Sequence, residues 1–194
     1  MREMISMIVV LTVLASVSGG LLAAVKSGTE VRIEEQVLKF QKAPAIESLF
    51  TDVSNDPLKE RFNLDNGETT VQIFPGKLPD GSMAVAFETF GKGGYGGDIG
   101  VMVGFNLDSD QLVGARVTTH SETPGLGSRA KDDLSFVSQF DDKPLDSNLA
   151  LKADNGSIDA ISGATVTSRA VARGAIQAQE IYRQLKPEIL KQLQ

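Results

Sequence analysis

The sequence predicts an α+β protein: one N-terminal transmembrane helix, then a single domain with an antiparallel sheet and flanking helices. Three observations predict it. Residues 4–25 are a run of 22 without a charged side chain, about 33 Å long as a helix and enough to cross a bilayer core. Four strand-length apolar runs then follow one another between residues 69 and 119 with no helical segment among them. That order belongs to α+β folds, not to a doubly wound sheet. Near the C-terminus Val171, Ala175, Ala178, Tyr182 and Leu185 recur at helical spacing.

The elements follow in order. In the first span the polar residues are Ser6, Thr12, Ser16 and Ser18, whose hydroxyls can bond back to the helix, and Gly19-Gly20 would admit a close helix neighbour. A cleaved secretory signal is the competing reading, but its apolar region should be about 7–15 residues. Ala15-Ser16-Val17-Ser18 and Leu22-Ala23-Ala24 imitate a cleavage site only loosely. Charges do not orient the span: Arg2 lies on one side, Lys26 and Arg32 on the other. Residues 27–50 read as a helical stalk capped by Thr29 and broken at Pro44. The expected division is an anchor over 1–25, the stalk over 26–50 and the globular domain over 51–194.

Residues 51–68 are polar, with turn signals at Asn55-Asp56-Pro57 and Asp65-Asn66-Gly67. Strands are expected at 69–74, 82–90, 99–106 and 112–119. The last two are joined by a hairpin-length loop, Leu107-Asp108-Ser109-Asp110-Gln111. A short helix is expected over 130–140 and a last short strand over 157–161. The long helix starts at Ser168, and Pro187 should interrupt it before a short tail helix.

Composition excludes several kinds of chemistry. There are no cysteines, hence no disulfide, thiolate-bound metal or acylated lipoprotein cysteine. With one histidine, a multi-histidine metal site is impossible within the chain. The net charge is −6, all of it beyond residue 25 because Arg2 and Glu3 cancel. An acidic domain repels phosphate backbones, so no nucleic-acid partner is expected.

Three loops carry candidate chemistry. Gly91-Lys92-Gly93-Gly94-Tyr95-Gly96-Gly97 holds five glycines in seven residues. It allows close backbone approach to a ligand, or it is simply a flexible inter-strand loop. It matches neither the P-loop nor the dinucleotide spacing. Thr119-His120-Ser121-Glu122-Thr123-Pro124-Gly125-Leu126-Gly127 can hold Leu126 at a defined tip. His120 reads as a packing residue; with Ser162 it makes no hydrolase, because Ser162 lacks the Gly-x-Ser-x-Gly elbow. Asp159-Ala160-Ile161-Ser162-Gly163-Ala164-Thr165-Val166-Thr167-Ser168 reads as a strand end, a turn and a Ser/Thr-capped helix start. It also leaves the Thr165 hydroxyl accessible near a helix N-terminus, where an anion is favoured, but spacing alone favours the plainer reading.

These three loops, in this order after one span, resemble the flavin-carrying G subunit of Rnf-type electron-transport complexes. The related C subunit of the sodium-translocating NADH:quinone oxidoreductase shares the pattern. That family's flavinylation motif, Asp-x-x-Ser/Thr-Gly-Ala-Thr, is met by Asp159, Ser162, Gly163, Ala164 and Thr165. Glu-Thr-Pro-Gly-Leu-Gly at 122–127 lies about 40 residues upstream and makes the match specific. The resemblance implies an FMN-binding domain, with FMN joined by a phosphoester to Thr165 and a flavin transferase using FAD as donor. It sets Glu122, Thr123, Leu126 and Gly127 against the isoalloxazine and Tyr95 on the ring's other side; Lys152, in the segment before the motif, is expected within reach of the flavin's polar edge from its position alone. It also implies a single-pass protein of the inner membrane with its domain on the extracytoplasmic side. Its partners are the other subunits of an Na⁺- or H⁺-translocating complex, in which it relays electrons without turnover of its own. The alternative is a cofactor-free, membrane-anchored ligand-binding or scaffold module. A flavin would supply redox chemistry that these side chains lack.

Overall fold

The structure, a computed structural model, describes residues 1–67 and 69–193. It contains two compact units, Met1–Phe40 and everything from Gln41 onward.

The first unit is helical. Helix α1 spans Arg2–Val37 and has no buried residue. From Met4 to Ile33 its large apolar side chains are more than half exposed, from Val9 at 54 % to Leu22 at 71 %. A helix this long and apolar is able to cross a membrane, where lipid covers such a surface and the backbone groups are satisfied within the helix. Thr12 and Thr29 donate their hydroxyls to the carbonyls of Ile8 and Val25, each at 2.8 Å. Thr29 therefore caps nothing, contrary to the sequence expectation: the helix passes through it, because no proline or glycine pair breaks the ladder there. A π-helical turn, Leu38–Lys42, follows.

The second unit is an antiparallel meander between helices. Helix α2 (Ala43–Leu49) carries Pro44 in its first turn, where the missing N–H has no partner to lose. Ala43, Ala45, Ile46, Leu49 and then Phe50 are buried. The strands are β1 (Phe62–Asp65), β2 (Thr70–Lys77), β3 (Met83–Gly91), β4 (Ile99–Asn106), β5 (Gln111–Val117) and β6 (Lys143–Pro144), in that spatial order. Short helices α3 (Arg129–Asp132) and α4 (Leu134–Val137) precede β6, and α5 (Thr165–Gln192) closes the chain.

Strand β4 explains the layering. Its Val101, Val103 and Phe105 point one way and Gly100, Met102 and Gly104 the other, as a pleat of period two requires. Phe105 stacks on Tyr182 of α5, with ring centroids 4.3 Å apart. On the opposite face, a Cβ at Gly104 would touch Phe50 and Leu49. Helices thus cover both faces, and β4 reads as a continuous apolar run instead of an alternating one. Thr89 is buried and donates to the Gly174 carbonyl at 2.9 Å, tying β3 to α5.

The strands at 69–74, 82–90 and 99–106 are found with small changes at their ends, and that at 112–119 ends two residues early. Four expectations fail for identifiable reasons. The strand over 157–161 is a single parallel bridge, Leu151 to Ile158. The helix over 130–140 is broken at Asp133, whose extended backbone and carboxylate cap α4 by accepting from Ser135 N–H at 3.1 Å. Helix α5 begins three residues before Ser168. It also runs through Pro187 to Gln192. The lost bond at Pro187 is outweighed by burial of Leu185 and Ile189 on either side. Strands β1 and β6 lie outside the sequence expectation; they have four and two residues, too few to show a period.

Tyr182 lies wholly buried, and its hydroxyl donates to Asp110 at 2.9 Å. Lys186 also pairs with Asp110 and, as the leading cause, holds that carboxyl below its ordinary range. Burial first, then Asp110, raises the Tyr182 phenol well above 10.0. A group whose pKa is higher folded than unfolded stabilises the fold below its unfolded value and loses that contribution as pH rises. Stability of the full chain in detergent should therefore fall above about pH 10. Tyr182→Phe should flatten that limb, as read by denaturant midpoints between pH 8 and 11. An unchanged slope would contradict the assignment.

Candidate functional site

The site is built at the head of α5. Gly163 takes a left-handed backbone with φ 81°, turning the chain so that Ala164 becomes the N-cap residue. Among the described residues no side chain caps this helix, so the expected Ser/Thr cap is not found. Ser168, one turn in, donates back to the Ala164 carbonyl at 2.9 Å and accepts from Ile161 N–H at 3.0 Å. The first turn of a 28-residue helix is left with free N–H groups and the positive end of its dipole. Thr165, its first residue, is exposed.

Beside it lies a cavity of about 380 Å³ lined by Tyr95, Glu122, Thr123, Leu126, Gly127, Gly163, Ala164, Thr165, Val166 and Thr167. Three segments far apart in sequence meet there. The 122–127 segment forms a tight turn, with Leu126 N–H and Ser128 N–H both donating to the Thr123 carbonyl at 3.2 Å. Gly125 adopts φ 74° at its corner, and its N–H donates to Ser128 Oγ at 2.9 Å. This presents Leu126 as an apolar tip, 45 % exposed, beside Val166 at 46 % and Tyr95 at 79 %. Apolar side chains left open around a concave site suit a flat, largely apolar ligand. A side chain at Gly163 would press on Leu126.

The glycine-rich loop approaches as closely as backbone allows. A Cβ on Gly96 would collide with the Ser121 carbonyl. Gly96 N–H donates to Glu122 Oε1 at 3.0 Å, and the Thr167 hydroxyl donates to Glu122 Oε2 at 2.7 Å. His120 accepts the Glu122 N–H on Nδ1 at 3.3 Å, a packing role within its loop.

Three residues singled out in the sequence lie outside the cavity. Asp159 and Lys152 form an ion pair at 2.7 Å, both more than half exposed. Asp159 N–H also donates to the Gln139 side chain at 2.7 Å. Asp159 and Ser162 border a separate hollow of about 380 Å³ with Arg129, Asp133, Phe136 and Gln139. The motif thus has two sides, with Gly163–Thr165 on one and Asp159 and Ser162 on the other. Val166 and Thr167 line the cavity without having been expected from the sequence; their place on the first turn of α5 follows once the helix start is known. A larger hollow of about 560 Å³, where β2 parts from β3, includes Lys42, Glu88, Phe90 and Gln177 and none of the motif residues. Among the described residues no cluster of acidic or histidine side chains could hold a metal.

A family model described as an FMN-binding domain matches residues 94–180, a segment that contains every residue lining the cavity. The G subunit of the ion-translocating oxidoreductase complex of Escherichia coli O157:H7 is 34 % identical over 194 residues, covering 95 % of this chain and 93 % of its own. The chain belongs to this family of G subunits. The counterpart from Photorhabdus laumondii is 31 % identical over 96 % of this chain and 93 % of its own. Among solved structures, NqrC of Shewanella oneidensis superposes with a TM-score of 0.52 at 22 % identity, over 80 % of this chain and 76 % of that one. At that identity the likeness speaks to fold. It extends the antiparallel sheet with flanking helices from this family to a second set of proteins.

Proposed function

We propose that this chain is a membrane-anchored electron-transfer subunit of an Na⁺- or H⁺-translocating oxidoreductase complex, carrying FMN esterified to Thr165. The observation that carries the reading is the exposed Thr165 hydroxyl at the uncapped N-terminus of α5, inside a cavity bordered by open apolar side chains. When bound, FMN supplies one- and two-electron redox chemistry. The chain's own residues fit it. Free N–H groups on the first turn of α5 suit a phosphate. Leu126 and Val166 offer apolar surface to a ring, Tyr95 stands at the open side, and the turn at 122–127 fixes Leu126 in place.

Attachment replaces the Thr165 hydroxyl hydrogen with an FMN phosphoryl group. A bond from Oγ1 to phosphorus forms, the pyrophosphate bond of FAD breaks, AMP leaves, and the hydroxyl proton goes to solvent. A flavin transferase is the partner for that step, and Asp159 and Ser162, on the outer side of the motif, are placed to face it. Lys152, expected near the flavin's edge from its place before the motif, pairs with Asp159. A tethered cofactor cannot diffuse away, which suits a domain on the extracytoplasmic side of the inner membrane. Such a role needs positioning without an acid–base pair, and the other subunits supply donor and acceptor.

The test is the colour of the full chain purified after co-expression with a flavin transferase. Flavin fluorescence that survives denaturation is the expected result. Colourless protein would favour the cofactor-free binding module instead.

A further inference from the structure

Glu122 is only 6 % exposed, and its carboxylate is engaged at both oxygens. Oε1 accepts from Gly96 N–H at 3.0 Å and Oε2 from the Thr167 hydroxyl at 2.7 Å. One side chain thereby joins segments 26 and 45 residues away from it. Its seat is bounded by glycine on both sides: a Cβ at Gly94 would come within 2.7 Å of Oε1, and one at Gly127 within 2.5 Å of Oε2. Larger residues at either place would displace the carboxylate. Hydrogen bonds to an ionised group are among the stronger ones, and a buried donor left without its acceptor is costly.

We infer that Glu122 is a latch: a positioning residue that holds the Tyr95 loop and the first turn of α5 at a fixed separation, so that the cavity is formed before its ligand arrives. Its carboxylate serves the protein's own N–H and O–H groups rather than the ligand's ring. The latch also engages the hydroxyl of Thr167, a residue 2 % exposed, and leaves Thr165 as the hydroxyl open to the cavity. The identity of the ligand rests on the proposed function; the latch itself does not.

The experiment separates the two. Amide exchange at Gly96 is measured by NMR on the full chain in detergent micelles, made without a flavin transferase. Glu122→Ala should speed that exchange about tenfold or more, the loss of a charge-assisted bond. Glu122→Gln should stay within about threefold, because its amide oxygen still accepts from Gly96 and its NH₂ still reaches Thr167. Thr167→Val, nearly isosteric, removes one arm and should fall between them. With a transferase present, Glu122→Ala should label poorly and Glu122→Gln normally, as read by intact mass. Gly96 exchange unchanged in Glu122→Ala would overturn the latch, and so would Glu122→Gln behaving like Glu122→Ala. Should Glu122→Ala fail to fold, unchanged Gly96 exchange in Thr167→Val is the overturning result. Wild-type chain left unlabelled by an active transferase would defeat the flavin reading without touching the exchange result.

Discussion

Thr165→Val is expected to abolish covalent flavin and to leave the fold intact. Valine matches threonine in shape, and Thr165 is exposed at the first position of α5, so no core packing is lost. The cost to the helix is at most a few tenths of a kcal/mol, from propensity alone. The circular-dichroism spectrum and denaturant midpoint should match those of the unsubstituted chain, while denatured protein shows no flavin fluorescence. Thr167, two residues on, should not take over, because it is buried and its hydroxyl is held by Glu122. A label that persisted in this variant, or moved to Thr167, would contradict the acceptor assignment.

Gly91→Val is expected to cause the largest loss of stability among these variants. Gly91 opens the glycine-rich loop, and a Cβ there would strike the Ala170 carbonyl of α5. Across the same contact, a Cβ at Gly174 would come within 2.9 Å of Val101. The pair lets α5 lie directly on β3 and β4, with Thr89 pinning it through the Gly174 carbonyl. A branched side chain here meets backbone, which cannot swing aside as a flexible side chain does. The cost should reach or exceed about 3 kcal/mol, the upper end for overpacking. Because α5 presents Thr165, flavin labelling should fall with it. A denaturant midpoint within error of the unsubstituted chain would show that α5 does not need this close approach.

The sheet was legible because its central strands have clear signatures. Met83, Val85 and Phe87 alternate with smaller or polar residues, and β4 is apolar throughout because helices cover both its faces. Pro187 reads as a break only while local propensity is taken without the buried Ile189 beyond it. Strand β1 was hidden by its length: Phe62 and Leu64 alternate with Asn63 and Asp65, but four residues inside a mostly polar stretch do not stand out. The site was legible in a different way. Spacing alone left each of the three loops with an ordinary reading, and only the resemblance joined them. In the structure Tyr95, Leu126 and Thr165 border one cavity; that Asp159 and Ser162 stand outside it is what neither spacing nor resemblance supplied. Glu122 illustrates the gap. Its two partners lie on elements that a linear sequence does not bring together.

The most direct test of the central claim is the intact mass of the denatured full chain, purified after co-expression with a flavin transferase and followed by peptide mapping. The account predicts an increase of one FMN less one water, located on Thr165. An unmodified mass, from cells in which the same transferase labels a known substrate, would contradict it.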